Sequence, residues 1–315
     1  MGPDGGQGQP VSVSRRPSAE IDLLTDGGLL ALTFIWGINF SVIKVALGEL
    51  HPLAFNALRF PVASLVLLLL VRLMGRLQVP HRRDWPRIVL LGFLGNVLYQ
   101  MLFIFGIART SAGNASLLLA TTPIWTLLLT VVSGHERPSG LVWLGVLGTA
   151  AGMSFVVAGG AGLELGVTSL GGDVLMVGAS MLWAVYTVGA RDLIHRYGSL
   201  ETTAWTLWVG SVGLVVLGAP ALLDVSPARI SAATWLAVLY AGTFALSVAY
   251  ALWYRGVHRL GNARTAAYSN LVPVVALLTA WLWLGERPAT LQWVGAAIIL
   301  GALSVARLGG RSSQG

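Results

Sequence analysis

The chain has no cysteine and little charge. Without a single Cys among 315 residues, disulfide, iron–sulfur and thiolate-zinc chemistry are excluded, and no redox clue to the compartment is left. Only 10% of residues are Asp, Glu, Lys or Arg, against 55% hydrophobic. A soluble domain needs more polar surface than that, so the composition is that of a membrane protein. Carboxylates and histidines are also missing from the places where chemistry would need them. Every Asp and Glu lies in a terminus, a loop or at a span end, and His51, His81, His135, His195 and His258 are placed likewise. Intramembrane proteases, prenyltransferases and acyltransferases need His, paired carboxylates or metal sites at depth. The chain is therefore not expected to be an enzyme, and nothing in it asks for a metal or a cofactor.

What is present is apolar sequence in long runs. An α-helix rises about 1.5 Å per residue, so about 20 residues cross a hydrocarbon core of roughly 30 Å. Ten stretches qualify: Gly27–Leu47, Leu53–Val71, Arg87–Ile107, Ala112–Val132, Gly140–Ala158, Asp173–Leu193, Glu201–Ala219, Ala232–Tyr254, Asn262–Leu284 and Thr290–Arg307. In lipid, backbone polar groups must be satisfied within the segment, so these are helices and the fold class is an all-α polytopic membrane protein. Residues 1–26 are rich in Gly, Pro and Ser and read as a disordered cytoplasmic N-terminus. They lack the pattern of a cleaved signal peptide, so the first helix is expected to be retained. Residues 308–315 read as a tail.

The net charge of +7 is a topology signal with no nucleic-acid partner required. On alternate sides of the spans, one face collects Arg72, Arg76, Arg82, Arg83, Arg87, Arg191, Arg196, Arg255, Arg259 and others, and the opposite face has only Arg109, Arg229 and Arg287. Basic residues stay on the cytoplasmic side, which puts both termini there.

The chain also repeats itself. SGHERPSGLVWLG and LGERPATLQWVG share Glu136/Glu286, Arg137/Arg287, Pro138/Pro288, Trp143/Trp293 and Gly145/Gly295, 150 positions apart; Gly106 and Pro123 likewise match Gly256 and Pro273, while Trp36 meets Trp183 at an offset of 147. Residues 27–158 and 173–307 form two copies of five spans, joined by a Gly-rich linker at 159–172. Five is odd, so the copies are inverted with respect to each other. Within the repeated phrase, Glu136 and Glu286 read as marks of where the fifth and tenth helices begin, since Pro suits a first turn and Glu complements the dipole there.

IWGINFSVIKVAL in the first helix, ALRFPVASLVLLL in the second, ASLLLATTPIWTLLL in the fourth and GERPATLQWVGAAIILGA at the tenth resemble the drug/metabolite transporter superfamily in its ten-helix EamA-type branch. The resemblance covers nearly the whole chain after Asp26. It implies helices one to four and six to nine around a central cavity, with the fifth and tenth at the periphery. It also implies a carrier that exports amino acids or related metabolites by alternating access.

Polar residues inside a bilayer tend to face the bundle interior. Asn96, Tyr99, Gln100 and Phe103 fall on one face of the third helix, and Tyr240, Thr243, Ser247, Tyr250 and Tyr254 on one face of the eighth. Tyr250 is the repeat mate of Gln100. Thr122, Thr265, Tyr268 and Ser269 from the fourth and ninth helices, with Trp36, Asn39, Trp183 and Tyr186 from the first and sixth, complete the expected lining of a substrate site. Ser, Thr and Asn also serve simply to join helices. Pro123 and Pro273 interrupt the fourth and ninth helices symmetrically, as kinks or hinges, each freeing the carbonyl four residues earlier, Leu119 and Ser269. Gly148 and Gly152 read as a packing seam. Lys44 and Arg59, the cations within spans, lie in the outer half and are expected to snorkel. The cavity is thus expected to be neutral, polar and aromatic, suited to uncharged or zwitterionic small molecules; phosphorylated or nucleotide-linked solutes are the alternative, with Arg264 the candidate cation. The lipid bilayer is the one other partner implied, and oligomeric state is open.

Overall fold

The computed structural model describes residues 19–74, 78–132, 140–160 and 167–312. All regular structure among the described residues is helical. In chain order it comprises α1 (Ala19–Leu47), α2 (Pro52–Leu73), α3 (Trp85–Gly92), a π-helical segment (Phe93–Leu98), α4 (Tyr99–Arg109), α5 (Ala112–Leu119), α6 (Thr122–Val132) and α7 (Gly140–Gly160). There follow α8 (Val167–Gly189), α9 (Arg191–Tyr197), α10 (Ser199–Leu223), α11 (Ala232–Tyr240), a second π-helical segment (Ala241–Val248), α12 (Ala249–Ser269), α13 (Val272–Leu284) and α14 (Thr290–Ser312). Among these, eight helices are long and apolar enough to cross a membrane, and Val272–Leu284 and Thr290–Val305 are shorter apolar ones. This is a multi-pass membrane protein.

Local chemistry sets the starts and stops. Pro52 occupies the first turn of α2, where its missing N–H is not wanted. Ser111 Oγ accepts the Asn114 N–H at 3.0 Å to cap α5, and Ser231 Oγ accepts the Thr234 N–H at 3.3 Å to cap α11. Gly285, at φ +67°, ends α13 in the left-handed conformation that a Cβ would penalise.

The packing of the first half is echoed by the second. α4 packs on α8 as α12 packs on α1, and α6 packs on α8 as α13 packs on α1. α10 lies against the first π segment and α2 against the second, while α2 pairs with α10 and α7 with α14. The correspondence reaches single atoms. A Cβ on Gly106 would lie 2.9 Å from Met176 Sδ, and one on Gly256 would lie 2.6 Å from Leu29 Cδ2. Leu29 and Met176 are related by the same spacing of 147 as Trp36 and Trp183. On the α7–α14 seam a Cβ on Gly148 would meet Ala302 Cβ at 2.9 Å, and Gly152 and Gly295 approach each other's carbonyls.

Polar contacts at the ends of the spans join segments that the arginine bias groups on one side. Arg87 pairs with Asp192 at 2.7 Å, and Arg196 with Asp84; on the other side, the Ser231 N–H donates to Glu49 Oε2 at 2.8 Å.

Several boundaries differ from expectation. α1 starts at Ala19 rather than Gly27. The eighth and ninth stretches, expected to part between Tyr254 and Asn262, are joined by continuous helix from Ala249 to Ser269. The sixth ends at Gly189, and a turn leads into the separate α9. The fourth and ninth stretches break at Ala120–Thr121 and at Asn270–Leu271, so Pro123 and Pro273 sit in the first turns of new helices, where proline is preorganised. Glu136, Arg137 and Pro138 lie outside the described residues, as do 161–166 of the linker and the side chain of Arg264.

Candidate functional site

The third and eighth stretches each contain a π-helical segment at the same place in the two halves. A π turn widens the backbone locally and is common at functional sites. Glycine backbones make the room. A Cβ on Gly92 would lie 2.8 Å from the Thr206 carbonyl oxygen, and one on Gly242 2.7 Å from the Arg59 carbonyl oxygen. The Ser247 hydroxyl donates to the Gly242 carbonyl within the second segment at 3.2 Å and to the Ala63 carbonyl at 3.0 Å. The Trp36 indole N–H donates at 3.0 Å to the Ala245 carbonyl of the same segment.

The turns that follow these segments present Tyr99 and Gln100 from α4 and Tyr250 from α12 to a continuous cluster of rings. Trp183 of α8 is at its centre, with its ring 5.0 Å from Tyr99, 5.0 Å from Tyr186 and 6.5 Å from Tyr250, the last stacked. Tyr250 adjoins Trp36 at 6.1 Å and Tyr254 at 6.4 Å, and Tyr99 adjoins Phe103 at 5.8 Å. Each hydroxyl that is assigned a partner uses a side chain from a neighbouring helix: Tyr186 with Thr206 at 3.0 Å, and Tyr254 with Thr203.

Thus Trp36, Tyr99, Gln100, Phe103, Trp183, Tyr186 and Tyr250 come together. Asn96 is buried but turned to the seventh stretch, where a Cβ on Gly210 would overlap it. Asn39 has a buried Oδ1 with no hydrogen-bond partner, and Thr243 is half-buried. The remaining expected residues sit elsewhere. Thr122 donates to the Leu119 carbonyl at 2.7 Å, so this carbonyl, expected to be freed by Pro123, is already engaged. Tyr268 donates to Asp26 at 2.9 Å and its carbonyl accepts from Thr33. Thr265 is buried beside Gly256, and Ser269 ends α12.

Two expectations about charge are corrected. Arg59 does not snorkel; it is 1% exposed. Its Nε donates to Asn56 Oδ1 at 3.0 Å and its Nη2 to Gln100 Oε1 at 2.7 Å, and its guanidinium lies over the Phe55 and Phe60 rings. Neutral acceptors one turn away and on α4, with two aromatic faces, hold the charge inside. Through Gln100, the residue after Tyr99, this charge adjoins the cluster of rings, so the surroundings of the site are not neutral. Lys44 also turns inward: its ammonium donates to the carbonyls of Ile107 at 3.2 Å and Thr110 at 2.8 Å, complementing the negative end of α4.

Glu286 does not serve the helix that follows it. Its carboxylate accepts the Ala112 N–H at 2.9 Å and the Gly113 N–H at 3.2 Å, capping α5. The start of α14 is closed instead by Gln292, whose Oε1 accepts the Ala289 N–H at 2.6 Å while its Nε2 donates to Asn114 at 2.6 Å. Asn114 continues to Asp173, which also accepts from Thr110 at 2.5 Å.

A family model described as "EamA-like transporter family" matches the chain twice, at residues 24–158 and 170–308. Among curated proteins, a "Probable terminal-alkyne amino-acid exporter" of Streptantibioticus cattleyicolor is 33% identical over 285 residues, covering 88% of this chain and 92% of that protein. A "Probable amino-acid metabolite efflux pump" of Escherichia coli is 28% identical over 290 residues, covering 88% and 93%. A solved crystal structure is similar in fold, with a TM-score of 0.65 at 20% identity over 95% of this chain and all of the other.

Proposed function

Because the chain belongs to the EamA-like transporter family, we propose that it is a secondary transporter that exports small zwitterionic metabolites, amino acids foremost, across the bacterial inner membrane. The two halves act as inverted five-span repeats that expose the site to each side in turn, with both termini cytoplasmic. The observation that carries this reading is the ring cluster of Trp36, Tyr99, Trp183, Tyr186 and Tyr250, contributed by stretches one, three, six and eight. Such a cluster offers apolar area and π faces to a hydrophobic side chain and an ammonium group. The names of the Streptantibioticus cattleyicolor and Escherichia coli relatives support amino acids as the cargo and export as the direction. Among the described residues no group of three or more His, Asp or Glu is placed to hold a metal.

Counterflow of radiolabelled amino acids in proteoliposomes tests the proposal. Uptake of hydrophobic or aromatic amino acids is expected, and replacing Trp183 or Tyr250 by Ala should reduce it by about 2- to 10-fold if each ring contributes a contact of ordinary aromatic strength. Movement of polyanions alone, or of lipophilic cations alone, would overturn it.

A further inference from the structure

The Arg59 guanidinium is a full positive charge inside the bundle. The ion pairs among the described residues, Arg87–Asp192 and Arg196–Asp84, do not include it. Its hydrogen bonds go to two neutral amides, those of Asn56 and Gln100. A charge held in a medium of low dielectric constant without a counter-ion is costly, and an intramembrane ionisable side chain that persists in that state marks a functional site.

The fold itself does not ask for this charge. Thr206 is the repeat counterpart of Arg59, 147 positions on. Both residues present a backbone carbonyl to a glycine of the opposite half, Gly92 for Thr206 and Gly242 for Arg59. The packing role of the position is therefore met in the second half by a small hydroxyl residue. The guanidinium is an addition peculiar to the first half.

Nearby polar atoms point the same way. A guanidinium only donates, so Asn56 must turn its Oδ1 to Arg59. This leaves Asn56 Nδ2 as a buried donor with no hydrogen-bond partner, in a side chain that is fully buried. Two of the five guanidinium N–H groups are used by the bonds to Asn56 and Gln100. The site thus combines an unbalanced positive charge with a second unsatisfied donor, and it meets the ring cluster through Gln100, the residue after Tyr99 on α4. Both lack the same thing, an anionic acceptor. A carboxylate is planar and matches a guanidinium fork.

We propose that Arg59, flanked by Asn56 and positioned by Gln100, binds the carboxylate of the transported solute. This deepens the transporter reading and rests on it: the carboxylate sits at Arg59 while the rest of the solute, ammonium and side chain, lies over the Tyr99, Trp183 and Tyr250 rings. One guanidinium balances one carboxylate, so the substrate class is that of monocarboxylates, and amines or amides of the same carbon skeleton are rejected.

The test compares phenylalanine, phenylpyruvate, phenethylamine and phenylalaninamide as ligands of the detergent-solubilised full chain, by calorimetry and ligand-induced thermal stabilisation, with counterflow of phenylalanine run in parallel. The wild type should bind the two carboxylates and discriminate against the amine and the amide. Arg59→Gln should weaken both carboxylates by about 10- to 100-fold, the usual range for a hydrogen bond to a charged group, and leave the amine and amide unmoved. Arg59→Lys should restore part of the loss. In case the neutral variant does not fold, Gln100→Glu places a carboxylate within reach of the guanidinium and keeps the charge satisfied; it should also exclude carboxylate ligands and favour phenethylamine. A folded Arg59→Gln or Gln100→Glu protein with the wild-type ratio of acid to amide binding would overturn the proposal. So would a wild type that binds phenylalaninamide as well as phenylalanine. If phenylpyruvate binds in an Arg59-dependent way but no amino acid moves in counterflow, the carboxylate site stands and the amino-acid reading falls.

Discussion

Glu286, in the segment between α13 and α14, holds the first two backbone N–H groups of α5 through its carboxylate, at 2.9 Å from Ala112 N and 3.2 Å from Gly113 N. It ties the end of the second half to the fourth stretch of the first half, on the face where Lys44 closes the end of α4. Because a negative charge at a helix start both accepts hydrogen bonds and opposes the dipole, Glu286→Ala should lower stability by about 1 kcal/mol, within the usual range for a lost cap. Glu286→Gln keeps an acceptor and should lose less. Thermal unfolding in detergent measures both, and equal loss for Ala and Gln would show that charge alone matters.

The close approaches at the π segments predict a contrast among glycines. Gly92 and Gly242 face backbone carbonyls at 2.8 and 2.7 Å from where a Cβ would stand, and backbone cannot yield as a flexible side chain does. Gly92→Ala and Gly242→Ala should each cost about 1–3 kcal/mol, as overpacking does. Gly301, in α14, has nothing within 4 Å of a Cβ. There Ala should instead stabilise by up to about 1 kcal/mol through helix propensity. Melting midpoints of the three variants decide this; a neutral Gly242→Ala would mean that α2 and the second π segment are not held this tightly.

Much of this was legible in the sequence, and the failures share a cause. Apolar length alone shows a helical membrane protein, and the repeat pairs Trp36 with Trp183 and Gln100 with Tyr250, of which the three rings meet in the cluster while Gln100 accepts from Arg59. The repeat also hid what is not repeated. Arg59 has Thr206 as its counterpart, so comparison of the halves gave it no weight, and its place inside depends on acceptors that include Gln100, 41 residues away. Its only local sign is Asn56 three residues earlier on the same helical face. Glu286 was misplaced for a related reason: capping patterns are read along the chain, whereas its partners are 174 and 173 residues distant. The π segments leave no periodicity that a fixed 3.6-residue repeat can detect.

A pH dependence should appear at the Glu49–Ser231 contact. The Ser231 backbone N–H, followed by its hydroxyl, holds the Glu49 carboxyl below its ordinary value of 4.5. A carboxyl depressed in the folded state adds stability that is fully present above the ordinary value and is lost as pH falls through the lower, folded value. Glu49 is exposed, so the effect is small and sensitive to salt. The melting difference between the wild type and Glu49→Gln should therefore be constant above about pH 5.5 and close progressively below the ordinary carboxylate value. A difference that grows on acidification would contradict the assignment.

The same contact has a counterpart across the membrane, and this yields a test of alternating access. Glu49 and Arg196 are 147 positions apart, as are Ser231 and Asp84. Glu49 engages Ser231 on one side, and Arg196 engages Asp84 on the other, where Asp84 also accepts from Tyr197 at 2.5 Å. Each contact joins the loop after the leading stretch of one half to the start of the third stretch of the other. If the halves rock about the ring cluster, each contact must part when its own side opens. The natural chain has no cysteine, so paired substitutions report without background. Asp84→Cys with Arg196→Cys, and Glu49→Cys with Ser231→Cys, should each carry out counterflow before treatment. Each should stop after linkage by a bifunctional thiol reagent and recover on reduction. Because the two contacts lie on opposite faces, linkage at either one should be enough to halt transport. Full transport with both pairs linked would mean that the solute passes without these loops separating, and the rocking of inverted halves would have to be given up.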